Sequence, residues 1–268
     1  MIYLHKQDNF HNLSYFRSLL TEAGKLFFGS GREQVTEKGY ADFVTATDLA
    51  VQRLIIGRLR ADFPDCAILA EESEDRPDGS VPTFVLDPVD GTTNLIRRLA
   101  HSCISLGYVE DRRAVLGAVY NPFTGEFFSA ERGKGAAKNG VPIHVTRASA
   151  LRDSLVTVGT SPYRKDNAEA NMGMIAEVFY STLDIRRSGS SALDLCDVAD
   201  GRTDAFLEAG LSPWDFSAGL LIVEEAGGRV TDWQGRPLDL FSKQNVLATN
   251  SRIHDPLLAI AGRVRLKK

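Results

Sequence analysis

The chain has 268 residues, 43% hydrophobic and 25% charged, an ordinary globular composition long enough for one large domain or two lobes. Its net charge of −4 argues against a protein built around nucleic-acid phosphates, so an anionic ligand would need local neutralisation, such as a metal held by carboxylates. No apolar run approaches the roughly 20 residues that cross a bilayer. The N-terminus, "MIYLHKQDNFHNLSYF", lacks the pattern of a secretory signal, and Cys66, Cys103 and Cys196 are scattered without C-x-x-C spacing. These features fit a soluble, reducing, cytoplasmic setting with the thiols as core packing.

Helical spacing runs through 10–28 and resumes after Thr47, where Val51, Leu54, Ile55 and Leu59 share one face; Thr45 or Thr47 can cap that helix. Short β-like runs follow at 67–69, 83–87, 102–109, 114–120 and 126–130. "NPFTGE" (121–126) reads as a hairpin turn and "KNG" (138–140) as another. The first half thus predicts helices on an antiparallel sheet. Beyond residue 150, strands at 154–159, 183–186, 203–208 and 245–249 alternate with helices at 168–180, 188–201 and 213–227, an α/β pattern. The expectation is two lobes, 1–150 and 151–268, forming one compact unit with a ligand cleft between them.

Acidic residues stand at the ends of these elements. In "VLDPVDGTTNL" (85–95), Asp87 closes an apolar strand and Asp90 follows. Asp-Pro and Asp-Gly are ordinary turn dipeptides, so a plain acidic turn is the simple reading. A calcium EF-hand loop fails, because its ligand positions would fall on Val89, Gly91 and Arg98. "GTTNL" can open a helix whose first N–H groups favour an anion, which sets an anion site beside the two carboxylates. Glu71 and Glu72 follow another buried strand, Asp215 sits behind a helix-entry proline, and Asp42 and Asp48 flank a helix start. Each alone is more often a cap or a solvated acid. Together, without a Cys/His ligand pattern, they point to hard oxygen ligation of Mg²⁺ or Mn²⁺ rather than zinc. "GKGAAKNG" (133–140) lacks the spacing of a phosphate-binding NTPase loop.

"AEES", "LDPVDGTTNL" and "PWDFSAGLLIVEEAGG", in this order, resemble the inositol monophosphatase family, Mg²⁺-dependent, lithium-sensitive sugar phosphatases. The likeness extends to 38–48, 133–140, 188–208 and 246–250, nearly the whole chain. It implies a layered αβαβα sandwich, a cytoplasmic homodimer and two or three Mg²⁺ ions, with Mn²⁺ as a substitute. By the resemblance Glu71, Asp87 and the Val89 carbonyl hold a first ion, and Asp87, Asp90 and Asp215 a second; a third sits near Glu71. Thr92, paired with Asp42, would orient the attacking water, and the backbone N–H groups of Gly91 and Thr92 would hold phosphate. The alcohol half would meet Asp90, the Ser191 N–H and Glu208, beside Asp215. Simpler readings stand beside these: Glu208 as a solvated strand end, Thr92 as a plain helix residue, Lys38 as an exposed ion pair and Trp214 as packing.

The substrate so implied is a small polyol monophosphate such as inositol 1-phosphate. Fructose 1,6-bisphosphate, histidinol phosphate, 3′-phosphoadenosine 5′-phosphate or NADP are alternatives on the same scaffold, as is a regulatory, RNA-associated role. "DGTTN", rather than the "DGTKE" of the adenosine bisphosphate group, favours a polyol. One segment departs from the family: "LIRRLAHS" (95–102) carries Arg97, Arg98 and Ala100 where an aromatic and a Phe-Pro pair are usual, so substrate preference or oligomer packing is expected to differ.

Overall fold

The computed structural model describes residues 13–29, 35–40 and 42–266. Of the first helical stretch, 10–12 lie outside the described residues; the rest forms α1 (Leu13–Gly24) and a 3-10 turn, Lys25–Phe28. A hairpin of β1 (Val35–Gly39) and β2 (Asp42–Thr45) then runs directly into α2 (Ala46–Asp62). Thr45 and Asp48 form a reciprocal capping box that sets where α2 begins. The hairpin was not expected, because every residue of β1 is exposed and no alternating apolar signal marks it.

Seven strands build the first sheet. They are β3 (Ala67–Ala70), β4 (Thr83–Asp90), β5 (Cys103–Glu110), β6 (Arg113–Asn121), β7 (Glu126–Glu131), β8 (Ala136–Lys138) and β9 (Val141–Pro142), in that spatial order. A short helix, α3 (Thr92–Arg97), interrupts the path from β4 to β5. All pairings are antiparallel except β3 with β4, which is parallel and departs from the expected antiparallel sheet.

The second sheet has five strands in the order β11-β10-β12-β14-β13. In chain order its region comprises β10 (Leu155–Val158), α4 (Ala168–Ser181), β11 (Asp184–Arg186), α5 (Ser191–Ala199), β12 (Ala205–Leu211), α6 (Pro213–Glu225), β13 (Arg229–Asp232), β14 (Gln244–Thr249) and α7 (His254–Ala261). β10 pairs in parallel with both β11 and β12, whereas β14 runs antiparallel to β12 and β13. The α/β alternation thus yields a mixed sheet; β13 and α7 are additions to the expected elements.

Three hydrophobic cores stack these elements into five layers. Phe16 and Leu20 of α1 and Ile55 and Leu59 of α2 pack on Phe84, Leu86, Ile104 and Leu106, one face of the first sheet. The opposite face, with Val85, Val119 and Phe128, meets Leu195 of α5, Phe216 and Leu221 of α6, and Phe206 and Val246 of the second sheet. Val156, Leu207 and Leu247 on the outer face of that sheet are covered by Met174 and Val178 of α4 and Leu257 and Ile260 of α7. The order is helix, sheet, helix, sheet, helix. Buried on both faces, β4 alternates between two cores, which is why its sequence is continuously apolar up to Asp87. The first sheet lies wholly before residue 150, yet the helices filling the middle layer come from after it. α6 approaches β6 so closely that a Cβ on Gly117 would sit 2.5 Å from the Ala218 carbonyl oxygen.

Candidate functional site

The end of β4 organises a cleft of about 590 Å³ lined by both large sheets, the β1–β2 hairpin and the starts of α5 and α6. Pairing with β5 shifts register between Asp87 and Asp90, so the strand bulges where its two acids emerge. Asp87 Oδ1 accepts the Val89 N–H at 2.9 Å, which closes the turn on itself. Gly91 then takes φ +90° as N-cap of α3, and a Cβ there would lie 3.0 Å from the His101 carbonyl oxygen. Only glycine meets both demands.

Asp215 arrives from the opposite wall, at the third position of α6 behind Pro213, and its Oδ2 accepts the Ser212 N–H at 2.7 Å. One carboxylate oxygen each from Asp87, Asp90 and Asp215 lies within 4.8 Å of the others. Asp87 and Asp90 are buried, whereas Asp215 is partly open to the cleft. Burial, reinforced by the neighbouring acids, pushes Asp87 and Asp215 well above the carboxylate range. Asp90 is raised by burial but opposed by hydrogen bonds at the start of α5: Ser190 Oγ donates at 2.5 Å and the Ala192 N–H at 2.7 Å. Three carboxylates held this close repel one another, and a hard divalent cation on their oxygens removes that repulsion. The donor set fits Mg²⁺ or Mn²⁺.

Glu71, on the turn after β3, lines the same cleft with its carboxyl raised to about 7, chiefly by burial. It stands outside the tight trio of aspartates and faces Lys38, whose Nζ is 3.4 Å from Glu71, 2.5 Å from Glu72 and 3.5 Å from Asp42. Lys38 is therefore the exposed ion pair expected of it, shared among three acids.

The expected pairing of Thr92 with Asp42 is corrected. Thr92 Oγ1 lies 3.1 Å from Asp48 Oδ1 and 3.0 Å from the Val89 carbonyl oxygen. Asp42 is half-exposed on β2 where it lines the cleft, and among the described residues its ion pair is with Lys38. Asp48 is fully buried in the capping box, its carboxyl lifted to about 6 chiefly by burial. Both acids precede or open the same helix, so spacing alone could not choose between them. Ser191 differs as well: its backbone N–H, with that of Ala192, faces Asp90, and its hydroxyl donates to Glu208 Oε2 at 3.1 Å. Glu208 is buried at the β12 bulge, with Oε1 accepting the Ser161 N–H at 3.1 Å, so it is no solvated strand end.

Three lining residues had no signal in the sequence. Asp194 in α5 is buried with one carboxyl oxygen unpartnered among the described residues, and Arg187 and Lys243 add positive charge to the cleft wall. Trp214 packs against the middle core with the Arg76 guanidinium 5.4 Å from its ring, and the buried Cys103 and Cys196 belong to the same core. In the divergent segment, Arg98 and Ala100 adopt positive φ and Leu99 is exposed, while Asn94 bridges the His101 and Ser188 carbonyls beside it.

The family profile described as "Inositol monophosphatase family" matches residues 15–265. The inositol-1-monophosphatase of Synechocystis sp. is 40% identical over 243 residues, 90% of this chain and 84% of the relative. The Nus factor SuhB of Escherichia coli K12 is 39% identical over 228 residues, 84% of this chain and 85% of the relative. Among solved structures, the Thermotoga maritima IMPase superposes with a TM-score of 0.85 at 36% identity, covering 93% of this chain and 96% of that one. With the five-layer fold and the three converging aspartates already in place, these similarities show that the chain belongs to the inositol monophosphatase family and is a phosphomonoester hydrolase.

Proposed function

We propose that the protein hydrolyses the phosphate monoester of a small polyol, inositol monophosphate foremost, with Mg²⁺. The observation that carries this reading is the meeting of Asp87, Asp90 and Asp215 within 4.8 Å beside the first N–H groups of α3. The likeness to the Synechocystis inositol-1-monophosphatase supports the substrate. Asp87, Asp90 and Asp215, with Glu71 and the Val89 carbonyl alongside, would hold two or three ions. Bound there, the cations lower the pKa of water and offset charge on the phosphate and its leaving oxygen.

The chain's own groups do the rest. Thr92 Oγ1 donates toward Asp48, which leaves its lone pairs free to orient a water and to take its proton as Asp48 receives the threonine's. The raised pKa of Asp48 makes it a stronger base than an ordinary aspartate. The N–H groups of Gly91 and Thr92, unpaired within α3, grip phosphate oxygens. Glu208 and Asp90 face the alcohol half and read its hydroxyls.

Phosphate release from inositol 1-phosphate tests this directly: Mg²⁺ should sustain it, EDTA abolish it and millimolar Li⁺ inhibit it. Turnover undiminished in EDTA would end the reading. A cytoplasmic homodimer belongs to the same proposal; no helix among the described residues is long and apolar enough to cross a membrane. The likeness to a Nus factor favours one second reading, a role in an RNA-bound complex, which binding to transcription components without any phosphate release would support.

A further inference from the structure

Glu208 owes its position to a glycine outside the stretches that carry the family resemblance above. Gly159 follows β10 and is buried, and its φ is not in the left-handed region, so conformational freedom does not explain it. Space does. A Cβ built there would lie 1.9 Å from Glu208 Cδ, 2.1 Å from Oε2 and 2.3 Å from Cγ. The backbone cannot retreat, because the Gly159 N–H donates to the Leu207 carbonyl at 2.9 Å and Val158 pairs with Leu207 in the parallel ladder.

Two residues on, Ser161 takes φ +43°, a left-handed conformation that costs a non-glycine residue strain. Two hydrogen bonds hold it: its N–H to Glu208 Oε1 at 3.1 Å and its hydroxyl to the Ala209 carbonyl at 2.6 Å. Ser191 Oγ takes the other oxygen, Oε2, at 3.1 Å. The carboxylate is thus clamped on both oxygens and pressed flat on a backbone that carries no side chain. Pro162 and Tyr163 continue the same segment along the cleft wall.

We propose that Gly159 and Ser161 are positioning residues that fix Glu208 against the substrate, and thereby set the preference for hydroxyl-bearing alcohol halves over plain ones. This rests on the phosphatase reading above, with Glu208 facing the alcohol. Adding a methyl at 159 must drive the Glu208 carboxylate back by roughly 1.5 Å, the gap between 1.9 Å and ordinary 3.4 Å contact. That displacement takes it out of hydrogen-bond range of a hydroxyl it formerly met.

The test compares kcat/KM for inositol 1-phosphate and phenyl phosphate, with Mg²⁺, in wild type, Gly159→Ala and Ser191→Ala. The inositol-to-phenyl ratio should fall about tenfold in Gly159→Ala, mostly through KM for the inositol ester, a factor within reach of one hydrogen bond to a charged group. It should fall in the same direction in Ser191→Ala. A crystal structure of Gly159→Ala should show the carboxylate displaced. An unchanged ratio in both single variants, or an unmoved Glu208, overturns the inference alone; a wild type inactive on both esters overturns the phosphatase reading beneath it.

Discussion

Replacing Asp48 by Asn should make the protein more stable and far less active. Asp48 is fully buried, and its carboxyl is pushed from 3.8 to about 6, first by burial and against hydrogen bonds from Thr45 and Thr92 that favour ionisation. A folded value above the unfolded one means the folded state holds its proton more tightly. The penalty is therefore absent below about pH 3.8, grows as pH rises and is complete above about 6. Roughly two pH units, at about 1.4 kcal/mol each, make about 3 kcal/mol at pH 7.5. Asparagine does not ionise, so the substitution removes this penalty. It gives back about 1 kcal/mol by weakening the box that caps α2, where Asp48 Oδ2 now takes Thr45 N at 3.0 Å and Thr45 Oγ1 at 2.5 Å.

The net gain of about 2 kcal/mol corresponds to a Tm rise of roughly 5 °C in a chain of this size. A thermal melt in EDTA at pH 7.5 measures it, since no bound cation then alters the balance. Over the same exchange, kcat with Mg²⁺ should fall by roughly 10²- to 10³-fold, because the group that receives the Thr92 proton is gone. Asp42→Asn is the control: a half-exposed acid whose ion pair, with Lys38 at 3.5 Å, is screened by solvent should change kcat less than about threefold. Full activity in Asp48→Asn together with its loss in Asp42→Asn would refute the reassignment. A Tm that falls by several degrees would refute the electrostatic account.

Asp90→Asn should lower kcat by orders of magnitude while circular dichroism stays native, because the amide keeps its place against Ser190 and Ala192 but loses a negative charge from the aspartate trio. Stability should also sense pH through His254, buried with its ring nitrogens each 3.0 Å from the hydroxyls of Thr231 and Thr249. Burial, then Arg229, depress it from 6.5 to about 4. Its contribution, about 3 kcal/mol, is complete above pH 6.5 and is lost as pH falls toward 4. Urea unfolding at pH 7 and pH 4.5 should show that slope, and the non-titrating His254→Gln should flatten it.

Elements with a strong internal pattern were legible in the chain. The apolar run ending at Asp87, the Pro-Trp-Asp entrance of α6 and the turn at 121–126 depend on residues a few positions apart. Weakly patterned elements were not. The β1–β2 hairpin carries no alternation because no residue of β1 is buried, and parallel pairing of β3 with β4 depends on a crossover that local spacing does not encode.

By itself the sequence determined the alternation of elements, the acidic composition of the site and the adjacency of Asp87, Asp90 and Thr92, all set by short-range spacing, turn chemistry and capping. Which partner each group meets was decided only in three dimensions. Asp48 rather than Asp42 reaches Thr92 because the β1–β2 hairpin leaves Asp42 at the surface while the α2 cap turns Asp48 inward. Glu208 reaches the cleft clamped by Ser161 and Ser191 because β10, β12 and the start of α5 converge on it. Those contacts join residues 17 to 47 positions apart, and their geometry follows from sheet register and layer packing, which no short window of sequence contains.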